Sequence, residues 1–124
     1  MFFVMIGYGF SSIQSQDYNY RTFTDLREAL QYSAEYSVED VRILDLSQQN
    51  LTTLPQEIWQ LKNLQELNLE GNRLKILPAE IGKLENLREL NLENNKLKIL
   101  PREIGRLENL WELNLRRNQL TTSR

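Results

Sequence analysis

From residue 41 onward the chain sets aliphatic residues at fixed offsets. In 64–86, LQELNLEGNRLKILPAEIGKLEN, they stand at Leu64, Leu67, Leu69, Leu74, Leu77, Ile81 and Leu84. Leu67 and Leu69 alternate with Glu66, Asn68 and Glu70, the period-two pattern of a strand buried on one face. Pro78 suits the first position of a short helical turn, where its missing N–H is not needed. Gly82 argues against a long helix. The pattern predicts one strand, one bend and one short helical or 3-10 turn.

This unit recurs. Residues 87–109, LRELNLENNKLKILPREIGRLEN, differ from 64–86 at five of 23 positions. Without gaps, 41–63 align as a first copy and 110–124, LWELNLRRNQLTTSR, as a broken fourth. One copy has too few apolar groups to enclose a core of its own. Stacked copies cover one another, with strands in a parallel sheet spaced about 4.8 Å apart. The copies are alike because each must fit the one above and the one below.

The shared pattern, L-x-x-L-x-L-x-x-N-x-L-x-x-L-P-x-E-I-x-x-L-x-N, resembles that of leucine-rich repeat proteins. It is similar to the 23-residue type common in bacteria and in Ras-interacting repeat proteins. The resemblance covers 41–120, about two-thirds of the chain. It implies an α/β fold: a short solenoid with a parallel concave sheet, short helical or 3-10 turns on the convex side, and a helical cap at the N-terminal end.

Asn72, Asn95 and Asn118 fall where the chain leaves the strand and turns. A buried amide there bonds backbone groups that the turn leaves open, and the resemblance implies the same ladder. The first copy has Gln49 at this position. Residues 22–36, TFTDLREALQYSAEY, supply the cap. Thr24 is the expected helix N-cap, with Asp25 and Glu28 in the favourable first turn. Leu26, Ala29, Leu30 and Ala34 form its apolar face. No cap is recognisable after the fourth copy, so Leu113, Leu115 and Leu120 are expected to face water. This predicts pairing of two C-terminal ends as a homodimer, or a chain shorter than its relatives.

The expected organisation is 1–16 apart from the fold, 17–40 as cap helix and turn, and 41–124 as repeats. Residues 1–10, MFFVMIGYGF, carry no charge. They read as the core of a secretory signal, with 11–16 as a weak cleavage region, although no basic n-region precedes them. The alternative is an apolar tail packed on the cap, or a misassigned start. A signal implies a secreted or cell-surface protein, as the resemblance to exported bacterial proteins does. Without one the chain is cytoplasmic. The Asn50-Leu51-Thr52 sequon matters only in a glycosylating host.

Composition then narrows the chemistry. The chain has 124 residues, 40% hydrophobic and 26% charged, with a net charge of −2, which suits a globular domain and does not favour nucleic acid. With no Cys and no His there are no Cys–His or Ser–His pairs and no usual zinc set. No apolar run is long enough for a membrane helix. No phosphate-binding or nucleophile-elbow motif occurs. Glu66 and Glu89 stand at the spacing retaining glycosidases use, but a solenoid gives every column that spacing, and an open face does not split the two pKa values. No catalytic residue, cofactor or metal is expected.

What remains is the concave face. Its outward positions form columns: Ile43, Glu66, Glu89, Glu112; then Asp45, Asn68, Asn91, Asn114; then Ser47, Glu70, Glu93, Arg116. Flanking columns hold Arg42, Gln65, Arg88, Trp111 and Gln48, Gly71, Asn94, Arg117. The candidate partner-binding residues are Glu66, Asn68, Glu70, Glu89, Asn91, Glu93, Trp111, Glu112 and Asn114. Trp111 is either an exposed hot spot or packed against Arg88. Trp59, at the Gly position of its sibling copies, reads as filler near the cap. Stacked glutamates repel by about 1 kcal/mol per neighbouring pair in water. A basic protein partner relieves this, although copying of one solvated glutamate by duplication explains the column as well. Arg73, Lys75, Lys96 and Lys98 form a basic edge. The expected function is protein recognition on the concave face. The alternatives are a structural fragment without ligand, or a glycan or matrix binder at the basic edge.

Overall fold

The computed structural model describes residues 20–36 and 41–121. The strands are β1 (Thr22–Phe23), β2 (Ile43–Asp45), β3 (Glu66–Asn68), β4 (Glu89–Asn91) and β5 (Glu112–Asn114), and one helix, α1 (Leu26–Glu35), follows β1. They form one parallel sheet in the order β1-β2-β3-β4-β5. Leu44, Leu67, Leu90 and Leu113 stand in one register, so each coil repeats the last. The convex side is built of 3-10 turns at Gln56–Gln60, Ala79–Lys83 and Arg102–Arg106.

The core is the aliphatic set read from the pattern. In the second coil Leu64, Leu67, Leu69, Leu74, Leu77, Ile81 and Leu84 are each no more than 2% exposed. Full burial of a leucine or isoleucine contributes roughly 1.5–3 kcal/mol. Pro78 does not occupy the first helical position. It is the N-cap, with extended backbone at φ −66° and ψ 154°. Its fixed φ serves the extended approach, and its carbonyl accepts from Ile81 N at 3.1 Å to open the turn. Gly82 lets two coils approach: a Cβ there would lie 3.1 Å from the Glu103 carbonyl oxygen. Trp59, at the same position in the first coil, is buried in the core.

The asparagine ladder is present. Asn72 Oδ1 accepts from Gln49 N at 3.0 Å and Leu51 N at 2.9 Å, and its Nδ2 donates to Leu46 O and Leu69 O, both at 3.0 Å. Asn95 accepts from Leu74 N and donates to Leu69 O and Leu92 O. Asn118 repeats this with Leu97 N, Leu92 O and Leu115 O. One amide thereby serves both its own turn and the coil before it.

The N-terminal end departs from expectation in three ways. First, Asp25, not Thr24, caps α1: its Oδ1 accepts from Arg27 N at 2.8 Å and Glu28 N at 3.3 Å. A carboxylate reaches two orphan N–H groups and suits the helix dipole better than a hydroxyl. The carbonyl of Thr24 instead accepts from Gln49 Nε2 at 2.9 Å. That explains Gln49: its longer side chain ties the first coil to the cap. Second, the chain before α1 pairs as β1 beside β2, with Phe23 fully buried. Third, Ala34 is exposed. Ala29 is buried and Leu26 and Leu30 pack on the core, joined by Tyr32, whose ring lies 5.1 Å from that of Phe23. The readings of 1–16, and of the turn at 37–40, lie outside the described residues.

At the other end Leu113 and Leu120 are each 37% exposed, whereas Leu115 packs against the core rather than facing water. Its side chain points inward like that of Leu92, so the preceding coil still covers it. Among the described residues no helix is long and apolar enough to cross a membrane.

Candidate functional site on the concave face

The parallel register brings the expected columns together. Glu66 pairs with Glu89 and Glu89 with Glu112, while Asn68, Asn91 and Asn114 align in the next outward column. Strand alternation explains the selection: Leu67 and Leu90 point inward, so the residues on either side point out. These two columns, together with Ile43, Asp45 and Thr22, line a shallow groove of about 270 Å³. Thr22 was not legible as a groove residue because its strand was not. The Thr-Phe-Thr alternation before the helix was the available signal.

The groove asparagines are partly committed to the fold. The Oδ1 atoms of Asn68, Asn91 and Asn114 accept from the backbone N–H two residues on, at 2.9–3.1 Å. Asn91 Nδ2 donates to Glu70 Oε1 at 3.3 Å and Asn114 Nδ2 to Glu93 Oε1 at 2.9 Å. Glu70 and Glu93 thus brace the turn, half-buried, instead of lining the groove. Asn68 has Ser47 where its siblings have a glutamate. Its amide N–H groups meet no acceptor among the described residues.

Among the described residues no cation forms a salt bridge with the glutamate column. Among the described residues the single salt bridge joins Arg21 and Glu28 in the cap region. Glu89, flanked on both sides, has its carboxyl pushed above the usual range, first by burial in the groove, then by the charges of Glu66 and Glu112. Trp111 does not stack on Arg88. It is 74% exposed and makes no ring contact with a cation among the described residues. It precedes β5 at the rim of the sheet, where no other described coil covers it. Among the described residues the arrangement offers a row of acids, the unpartnered Asn68 amide and the exposed Trp111 indole along an open groove. No group of acidic residues among those described could hold a metal ion.

The family model for a leucine-rich repeat region matches residues 28–123. Among solved structures the chain is similar to internalin C2 from Listeria monocytogenes, at 27% identity and a TM-score of 0.60, covering 69% of this chain and 37% of that one. It is similar to the plant peptide hormone receptor RGFR1 in complex with RGF2, at 39% identity and a TM-score of 0.60, covering 68% of this chain and 14% of that one. The BIR2 ectodomain from Arabidopsis thaliana matches at 26% identity and a TM-score of 0.58, covering 69% of this chain and 48% of that one. The chain thus spans less than half the length of each of these structures. No curated protein sequence matches it. By pattern, by the stacking of its coils and by the family match, this chain belongs to the leucine-rich repeat proteins.

Proposed function

We propose that the chain is a non-enzymatic recognition module whose concave face binds a basic protein partner. The observation that carries this reading is the column Glu66, Glu89, Glu112, without a salt bridge among the described residues, in which Glu89 holds its proton more tightly than usual. A lysine or arginine entering the groove relieves the repulsion, and the coupling makes binding release protons at mildly acidic pH. The Asn68 amide is available to a partner carbonyl. Trp111 offers the kind of apolar anchor that contributes 2 kcal/mol or more at interfaces, as an order of magnitude. A structural neighbour that is a peptide hormone receptor, in complex with RGF2, supports protein recognition on this fold. Likeness to an ectodomain supports a secreted or surface location.

A low-salt pull-down with the wild type and with Glu66→Lys/Glu89→Lys tests the reading. Partners held by the wild type and lost by the variant support it. An unchanged partner list refutes it and favours an inert fragment. The exposure of Leu113 and Leu120 beside the outer edge of β5 supports a second reading, a dimer through the fourth coil. Analytical ultracentrifugation across the micromolar range should show concentration-dependent dimers, and a strictly monomeric species throughout would refute it.

A further inference from the structure

The side of each coil that follows the strand carries a second surface, separate from the groove. Beyond each ladder asparagine the chain runs extended toward the proline. In the second coil Arg73 and Lys75 flank buried Leu74 and face out, and Ile76 follows. In the third, Lys96 and Lys98 flank buried Leu97, and Ile99 follows. Backbone bonds from Arg73 N to Leu51 O at 2.8 Å and from Lys96 N to Leu74 O at 2.9 Å lock successive coils in register here. The stacking therefore sets Arg73 beside Lys96, Lys75 beside Lys98, and Ile76 beside Ile99.

Folding does not account for this patch. The four cations make no salt bridge among the described residues. The acids that precede them, Glu70 and Glu93, are engaged by Asn91 and Asn114. Ile76 and Ile99 are 70% and 63% exposed, far more than the 37% of the exposed leucines. The first coil folds with Thr53 at the isoleucine position, so the coil does not require an apolar residue there.

We propose that this flank docks on an anionic lipid bilayer surface. Arg73, Lys75, Lys96 and Lys98 meet the headgroup phosphates, and Ile76 and Ile99 enter the headgroup–acyl boundary. A sulfated glycan would use the cations and leave both isoleucines in water. A bilayer surface uses both. The net charge of −2 does not oppose this, because at physiological salt screening over about 8 Å leaves the local flank to decide.

The test is co-sedimentation of the full chain with vesicles of phosphatidylcholine alone or mixed with phosphatidylserine. Binding is expected to the mixed vesicles only and should fall with salt. Each cation near such a surface contributes about fivefold to partitioning, so Lys75→Glu/Lys98→Glu should weaken binding by at least roughly tenfold. Ile76→Ser/Ile99→Ser should weaken it roughly tenfold as well. Both pairs are exposed, so both variants should keep the wild-type circular dichroism melt. Trp111→Ala should bind vesicles like the wild type, which separates this surface from the concave face. Absence of binding to the mixed vesicles overturns the proposal. Binding undiminished in Ile76→Ser/Ile99→Ser overturns it too, because the isoleucines then do not enter the boundary.

Discussion

Leu90 and Leu113 hold the same position in two coils whose strands both read Glu-Leu-Asn, yet Leu90 is 1% exposed and Leu113 is 37% exposed. The same contrast recurs at other repeated positions. Asn95 is buried and Asn118 only half-buried. A Cβ on Gly82 would press on the next coil, whereas one on Gly105 would meet nothing within 4 Å. Burial in this molecule is therefore not a property of a coil. It comes from the neighbour on each side, and β5 has a described neighbour on one side only. The glutamate column obeys the same rule: Glu89 lies between two carboxylates, and Glu112 has one in register.

The largest test of this comparison is an acid in the core. Leu90→Asp buries an unpaired carboxylate between two coils and should cost about 4 kcal/mol or more, enough to unfold the array. Leu113→Asp should cost no more than about 1–2 kcal/mol, because water still reaches that site. Circular dichroism melts compare them, and equal losses would break the argument that neighbours confer burial.

The ladder is the next test. Asn95→Ala leaves Leu74 N without its buried acceptor and takes one of two amide donors from each of Leu69 O and Leu92 O, and should cost roughly 1–3 kcal/mol. Asn118→Ala strips an equivalent set nearer to solvent and should cost less. Urea unfolding of both variants decides it. A loss below about 0.5 kcal/mol for Asn95→Ala would mean that the amide bonds are replaced by water.

The smallest effect concerns the acids. Because the folded-state pKa of Glu89 lies above its unfolded value, the folded state holds that proton more tightly. Stability is therefore lost as pH rises from the usual carboxylate range through the raised value, and is not regained at neutral pH. Glu89→Gln should raise stability at neutral pH by about 0.2–1 kcal/mol, the scale of like charges placed opposite one another in a sheet. Glu112→Gln should do less. Melts at acidic and neutral pH should show the Glu89→Gln gain only at the higher pH; an equal gain at both would assign it to packing.

The repeat itself was legible because its signal is redundant. Leu67, Leu69, Leu74, Ile81 and Asn72 recur at the same offsets in neighbouring copies, and their strand and turn assignments reinforce one another. The cap was less legible because it occurs once. Thr24 and Asp25 both satisfy capping preferences, and only the position of Gln49 on the first coil shows which carbonyl is taken. β1 is two residues long and exists because β2 offers an edge, so no local pattern announces it. In the candidate site the columns followed from alternation alone. The use of Glu70 and Glu93 as acceptors for Asn91 and Asn114 did not, because it depends on the offset between successive coils.

The sequence by itself determined the coil: its length, its inward leucines, its asparagine ladder and the outward columns of glutamate and asparagine. These follow from side-chain periodicity, which is local and repeats. The tertiary structure decided what each repeated position is worth. It buried Leu90 and bared Leu113, left Trp111 uncovered, raised the pKa of Glu89, and set Ile76 beside Ile99 among four cations. The physical reason is that exposure and field depend on what stands on the next coil, and similar segments do not have identical neighbours.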